Sequence, residues 1–278
     1  MATIEDGFPQ FAILAPAKTE IPCSSVNISR DSTQHARLLG EMQRLRGRVA
    51  LQEGAISAST LDRSGRHVMA GDEKSWHLLR LRSDGKVAGC ARMLVHPRDV
   101  VFPRLRIASS SVARCAVWGR HVQDAVESEL KRARLNDLTT VEPGGWVVDE
   151  DLRGTCEAVS IAINAFAWAQ ILGDCVGFVT ATEKHGSSTI LRRLGGRNLE
   201  TEGKTIPRYF EPAWGCNAEL LRFETNSLNP RFEAALTSAR HRLLASPIFS
   251  TGTPCRPRTP VTINANIQRV YRSTFAVN

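Results

Sequence analysis

The sequence lacks the features that mark secreted, metal-bound or membrane-spanning chains. Its seven cysteines are odd in number and scattered, with no C-x-x-C pair. A disulfide framework is therefore not expected, and the thiols read as reduced, which points to the cytoplasm. The histidines show no H-E-x-x-H or other ligand spacing, so no metal is expected. The most lipophilic run, residues 158–172, would span roughly 22 Å as a helix, short of a ~30 Å bilayer core. It reads as a core helix that is apolar almost all round, and no membrane span is expected. The first residues lack a basic stretch followed by a long apolar one, so no signal peptide is expected. Zinc-finger spacing, a helix-turn-helix pattern and internal repeats are also missing, which sets nucleic acid behind other partners.

What remains is an ordinary globular composition: 278 residues, 42% hydrophobic and 23% charged. The formal charge is +8 and the pI about 9.4, with most of the basic residues arginine. A basic surface attracts polyanions, acidic proteins or phosphorylated cofactors.

Residues 1–35 read as an N-terminal arm rich in Pro and Ser, and 35–52 as a charged helix. Residues 53–75 read as a candidate mobile loop. "WHLLRLR" and "KVAGCARMLVH" flank "SDG", the pattern of an antiparallel hairpin. "VQDAVESELKRARLND" has the spacing of an amphipathic helix, with Glu127 and Lys131 four apart. A strand containing "WVV", the helix 157–172, a buried strand "CVGFVTAT" and a short helix closed by Gly195 or Gly196 follow. Two more strands, a helical run and a Pro-rich basic tail complete the chain. This order predicts an α/β fold with a mixed sheet and helices on both faces. Right-handed crossover places the two buried strands side by side and parallel. The chain divides into the arm, a domain over 36–225, and a C-terminal helix with a basic tail over 226–278.

The junction "VDEDLRGTCEA" joins a strand to a buried helix. A helix N-terminus presents free N–H groups and partial positive charge, and with Arg153 and Gly154 before it the turn forms a candidate anion cradle. The alternative is a plain strand-helix turn with Glu150 and Asp151 as dipole-favoured charges. The element order resembles the GNAT superfamily of acyl-CoA N-acyltransferases, whose signature R/Q-x-x-G-x-G/A opens this helix. Arg153 and Ala158 match it, while Cys156 stands where Gly is usual. The resemblance implies that Val147, Val148, Arg153, Gly154, Thr155, Cys156 and Ala158 hold the donor, with backbone N–H around Val147 or Val148 as oxyanion donor. Leu191 stands where many superfamily members carry a tyrosine acid, and Tyr209 reads as a strand residue.

A narrower resemblance covers roughly residues 36 to 225. "GKVAGCARMLVHPRDVVFPRL" is similar to the acyl-homoserine-lactone synthases and long-chain N-acyl amino acid synthases, with Arg92 at their strand arginine. "GDEKSWHLL" places Asp72 near a family acidic position. "TVEPGGWVVDEDLRG" resembles E-x-x-R-F-x-V-D: Glu142, Val148 and Asp149 match, Gly145 replaces the Arg, and Trp146 the Phe. This implies transfer of a fatty acyl chain from an acyl carrier protein or coenzyme A thioester to an amine such as an amino acid. No permanently bound cofactor is implied. Glu142 is the candidate base, the alternative being an exposed loop carboxylate beside Pro143. Glu183, at the C-terminal end of the second buried strand, is the second candidate, the alternative being a helix-cap charge. Arg92 is expected to bind an acidic substrate group or hold the acidic loop through Asp72. Asp72 and Trp146 are further substrate-binding candidates. Phe102 and Leu105 are candidates for an acyl slot, with Phe166 and Trp168 expected in ordinary core. Arg98, Arg104, Arg106, Lys131, Arg132 and Arg134 are the candidate dock for an acidic carrier protein. Two other readings stay open: a small-acyl transferase using acetyl-CoA, and a non-catalytic binding module on the same fold.

Overall fold

The computed structural model describes residues 10–17, 19–22 and 24–251. The basic tail beyond residue 251 and the first nine residues of the arm lie outside the described residues. The strands are β1 (Phe11–Leu14), β2 (Ile28–Ser29), β3 (Ser75–Leu81), β4 (Val87–Val95), β5 (Thr139–Val148) and β6 (Cys175–Thr182). Then come β7 (Arg197–Asn198), β8 (Glu200–Thr201), β9 (Lys204–Thr205), β10 (Tyr209–Glu211), β11 (Cys216–Glu224) and β12 (Ile248–Phe249). The helices are α1 (Ser32–Gln52), α2 (Gly119–Leu135), α3 (Glu157–Leu172), α4 (Ser187–Leu194) and α5 (Glu233–Ala245).

One mixed sheet organises the molecule, in the order β10-β11-β6-β5-β4-β3-β1-β12-β2, with β7 paired beside β11. Each helix turns an apolar stripe to it at the expected spacing. In α1 the stripe is Leu38, Met42, Leu45 and Val49, and the helix is capped by Asp31 accepting from Gln34 N. In α2 it is Val122, Ala125, Val126, Leu130 and Ala133. These two helices cover one face of the sheet and α3, α4 and α5 the other. Helix α3 is apolar almost all round because it lies between the sheet and α5. The expected mixed sheet with helices on both faces is thus present.

The boundaries differ from the sequence reading at both ends. Phe11–Leu14, expected in an arm, form a fully buried central strand. Strand β1 pairs antiparallel with β3 and parallel with β12, whose Ile248 lies opposite Ile13. The core therefore draws on residues on either side of 36–225, and α5 packs against α3. The stretch 53–75 is not a free loop, because its last residues are anchored through the buried Asp72.

Ile13 is 0% exposed. Ile13→Ala removes buried methylenes from the sheet centre and is expected to lower unfolding free energy by about 2–5 kcal/mol. Urea denaturation checks this; a change under about 0.5 kcal/mol would place β1 outside the core.

Candidate functional site

The site begins where two parallel strands stop pairing. β5 and β6 form a parallel ladder only over Thr139–Cys175, Thr140–Val176 and Val141–Gly177. Backbone groups of alternate strand residues point to opposite neighbours. His96 N donates to Thr140 O on the β4 side, and Thr139 N donates to Asp174 O on the β6 side. Val141 and Pro143 therefore face β6, and Pro143 has no N–H to give it. Next comes a bulge, where the β4–β5 register shifts between Cys90 and Arg92. Gly145 sits there with φ +56°. A Cβ on it would meet Arg46 Nη1 at 3.4 Å and Arg92 Cβ at 3.5 Å. Glycine is what the left-handed backbone and the close arginines admit. The strands expected side by side are parallel only at their starts, and "WVV" diverges from β6.

Two cavities flank the splay, one on each face, and share Pro143, Gly144 and Val179. On the α3–α4 face is an apolar cavity of about 80 Å³ walled by Trp146, Phe166, Leu191 and Phe223. Phe166 and Phe223 pack ring to ring at 4.8 Å. On the α1–α2 face is an open cleft of about 670 Å³ lined by His67, Arg106, Arg114, Glu142 and Glu211 among others. Phe166, expected in ordinary core, stands on the cavity wall, as does Trp146. Phe102 does not line either cavity; it is buried under α2, and its N–H donates to Glu127 Oε1 at 3.0 Å. Leu105 lies in the same cluster, and Trp168 is core, edge-on to Trp76 at 5.1 Å.

A buried charge cluster builds the wall between cleft and sheet. Asp72 accepts from Arg46 through both oxygens, from Gln43 Nε2 at 3.1 Å and from Met69 N at 3.0 Å. Arg92 Nη1 lies 3.4 Å from Asp72 Oδ1 and donates to Ala70 O at 3.1 Å. All three charged side chains are 3% exposed or less. Burial pushes the Asp72 carboxyl up, but the hydrogen bonds and charge of Arg46 prevail and hold it below the usual aspartate range. His77 Nε2 donates to Asp72 O at 2.8 Å, and burial lowers its pKa to about 4.

Glu142 lies within β5, 2% exposed, and not in a solvated loop. His96 Nε2 donates to its Oε2 at 2.8 Å, Arg106 N to the same oxygen at 3.0 Å, and Ile107 N to Oε1 at 3.1 Å. Glu183 stands apart: it is exposed, accepts from Arg208 Nη1 at 2.8 Å, and lines neither cavity. Glu211 receives Ser111 N at 3.0 Å and Ser111 Oγ at 2.9 Å. The cleft's acids thus have protein donors. Arg106 and Arg114 make no side-chain hydrogen bond or ion pair among the described residues.

The strand-helix turn is laced to the rest of the chain. Arg153 pairs with Glu53 at 2.9 Å, and Lys184 joins the same carboxylate at 3.2 Å. Asp149 pairs with Arg48 at 2.7 Å, Asp151 with Arg82 at 2.6 Å, and Glu157 with Arg80 at 2.9 Å. Gly154 has φ +73°, and Thr155 Oγ1 accepts from Glu157 N at 3.2 Å. Cys156 is exposed at the N-cap of α3 and Ala158 is half-buried. Val147 packs toward α1 and Val148 toward α3. By the same alternation, Asp149 N bonds Ala88 O, so Val147 faces β4 and Val148 presents its N–H to the splay. Of the candidate dock, Arg98 pairs with Asp137 at 2.6 Å and Arg132 with Glu129 at 2.8 Å. Arg134 donates to Val100 O at 3.3 Å, and Arg106 turns to the cleft.

No family model matches the sequence, and no curated protein is found similar to it. The fold is similar to a solved structure of a CoA-dependent acyl-homoserine lactone synthase, BjaI, with MTA. The TM-score is 0.53 at 12% identity, over 89% of this chain and 95% of that one. It is also similar to BjaI with SAM and isopentyl-CoA, at TM-score 0.51 and 13% identity over the same shares. The likeness at this identity is one of fold, the GNAT-like mixed α/β arrangement that the sequence resemblance implied.

His77 stays neutral in the folded protein down to about pH 4, whereas the unfolded residue titrates at 6.5. Between those values the unfolded chain binds the extra proton, so stability falls as pH falls. The loss is on the order of 3 kcal/mol across that window. His77→Gln keeps a donor for Asp72 O and removes the titration. Urea midpoints at pH 7 and pH 4.5 are expected to converge in the variant; an unchanged pH slope would rule His77 out as its source.

Proposed function

We infer that the protein is an N-acyltransferase that moves an apolar acyl chain from a pantetheine thioester to an amine. The observation that carries this reading is the splay itself. There Pro143, Gly144 and Val179 line both an apolar cavity on one face of the sheet and a polar cleft on the other. A thioester lodged there has its acyl tail on the apolar side and its carbonyl open to an amine in the cleft. The freed main-chain groups of β5 and β6 suit the amides of a pantetheine arm. The like-folded synthase is recorded with isopentyl-CoA, which supports a thioester donor on this scaffold. Coenzyme A and an acyl carrier protein share that arm, and both remain donors in this reading.

Arg106 and Arg114 favour an acceptor with an acidic group, such as the carboxylate of an amino acid. Glu142 takes the ammonium proton, with His96 sharing the charge through their hydrogen bond. The amine nitrogen attacks the thioester carbon, and a freed main-chain N–H of the open strand edge beside Gly144 meets the oxyanion, while the N–H of Val148, ~13 Å further along β5, suits the pantetheine arm. The C–S bond then breaks, the C–N bond remains, and the thiolate leaves with the second amine proton. Asp72 and Arg92 shape the cleft wall as positioning residues. Arg153, Gly154, Thr155 and Cys156 lie where a donor phosphate would approach the α3 N-terminus, with Ala158 in the first turn. Glu183 has no role in this reading. A short acyl group is the second reading, favoured by the size of the first cavity and its closure by Phe166 and Phe223.

Purified protein incubated with acyl-CoA thioesters and a mixture of amino acids is expected to release free thiol and an equal amount of N-acyl product by mass spectrometry. Thiol release without N-acylation, or neither with CoA and carrier-protein donors, would overturn the reading. Glu142→Gln is expected to lower kcat/KM by about 10²–10⁴-fold while acyl-CoA binding is kept. A variant that loses activity together with acyl-CoA binding would make Glu142 structural only.

A further inference from the structure

Past their C-terminal ends, the two splayed strands each lead to a cation. β5 runs on to Arg153 before α3, and β6 runs on to Lys184 before α4. One carboxylate holds both. Glu53 follows the last residue of α1; Arg153 Nη1 lies 2.9 Å from its Oε1 and Lys184 Nζ 3.2 Å from its Oε2. Lys184 also donates to the Glu53 carbonyl at 2.9 Å, so it caps the C-terminal end of α1 as well. Glu53 thus spans from one lip of the splay to the other. The acids of the strand-helix turn have other partners: Asp149 pairs with Arg48, Asp151 with Arg82 and Glu157 with Arg80. Arg153 has donor capacity left over, because its Nη2 is shut off from solvent with no hydrogen-bond partner among the described residues.

We propose that Glu53 stands in for the donor's phosphate, latching Arg153 and Lys184 across the mouth of the splay until a phosphate on the pantetheine arm displaces it. The inference rests on the acyltransferase reading and extends it to donor selection. A carboxylate and a phosphate diester both present oxygens that share a negative charge, so they compete for the same cations, and the phosphate has further oxygens for Arg153 Nη2. Coenzyme A and a carrier protein each bring such a phosphate. The latch also reaches the acceptor side. Ala50, Ala55 and Ile56, on either side of Glu53, line the cleft. The turn between them is closed by Glu53 N to Val49 O, Gly54 N to Leu51 O and Ala55 N to Ala50 O. A phosphate that releases Glu53 therefore loosens one wall of the cleft, whereas a phosphate-free pantetheine leaves that wall locked. Glu53 is a specificity-determining residue in this account and touches no reacting atom.

Calorimetric titration of the full chain compares one S-alkyl group on three carriers: coenzyme A, the phosphopantetheine of an acyl carrier protein, and phosphate-free pantetheine. Glu53→Gln keeps the side chain's size and the backbone contact from Lys184 and removes the charge; melting curves check that it folds. It is expected to tighten a phosphate-bearing thioether about threefold to tenfold, the combined scale of two partly exposed ion pairs, and to leave the pantetheine thioether unchanged. A gain for the coenzyme A form alone, or for the carrier form alone, identifies the phosphate that the latch admits. Replacing both cations, Arg153→Gln with Lys184→Gln, should abolish the gain. In the wild-type chain, amide hydrogen exchange over 53–55 should rise when a phosphate-bearing thioether binds and stay level with the pantetheine form. Glu53→Gln that tightens all three alike, or that leaves both phosphate-bearing forms unchanged or weaker, would overturn the latch and leave the acyltransferase reading standing. Binding of none of the three to the wild-type chain would overturn both.

Discussion

The site depends on a hydrogen bond that β5 is unable to make. At Pro143 the strand owes β6 an N–H and has none, so the parallel ladder ends at Val141–Gly177. The bulge at Gly145 then turns β5 away. Everything proposed for the chemistry follows from that gap. The sheet separates an apolar cavity under α3 from a polar cleft on the α1–α2 face, and Pro143, Gly144 and Val179 at the gap line both. A substrate with an apolar tail and a reacting polar head needs such a place.

The gap stays open because its polar side is held by buried charge. Arg46, Asp72 and Arg92 tie α1, β4 and the turn before β3 into one cluster. Removing one member of a buried charge set costs about 3–5 kcal/mol, because the remaining charge is left uncompensated. That cost is a reason for glycine at 145, where a side chain would press on both arginines. Glu142 does related work from within β5, holding the 106–107 backbone across the cleft. One carboxylate thus both fixes the cleft's loop and faces the space where an amine would sit.

Most elements were legible in the sequence because their signals are local. The stripes of α1 and α2, the Asp-Gly hairpin and the all-apolar α3 need no knowledge of partners. Phe11–Leu14 were not legible, since a short apolar run between prolines carries no period, and the strand forms only against residues far along the chain. The acid-base pairs at the strand-helix turn were hidden for the same reason, with Arg48 and Asp149 about a hundred residues apart. Of the residues that motif likeness singled out, Arg92 and Trp146 line the apolar cavity, Glu142 lines the cleft, and Asp72 is buried beside Arg92 without lining either. It also singled out Phe102, which packs under α2, and it left Arg114 and His96 unremarked because nothing local distinguishes them.

The most direct measurement is photocrosslinking with an S-alkyl pantetheine thioether that carries a carbene precursor on its chain, followed by peptide mapping. The account predicts that the label falls on the cavity walls at 162–166 of α3 or 177–179 of β6, and that added acyl-CoA protects them. Labelling confined to the outer surface, unaffected by acyl-CoA, would contradict the claim that the splay receives a thioester.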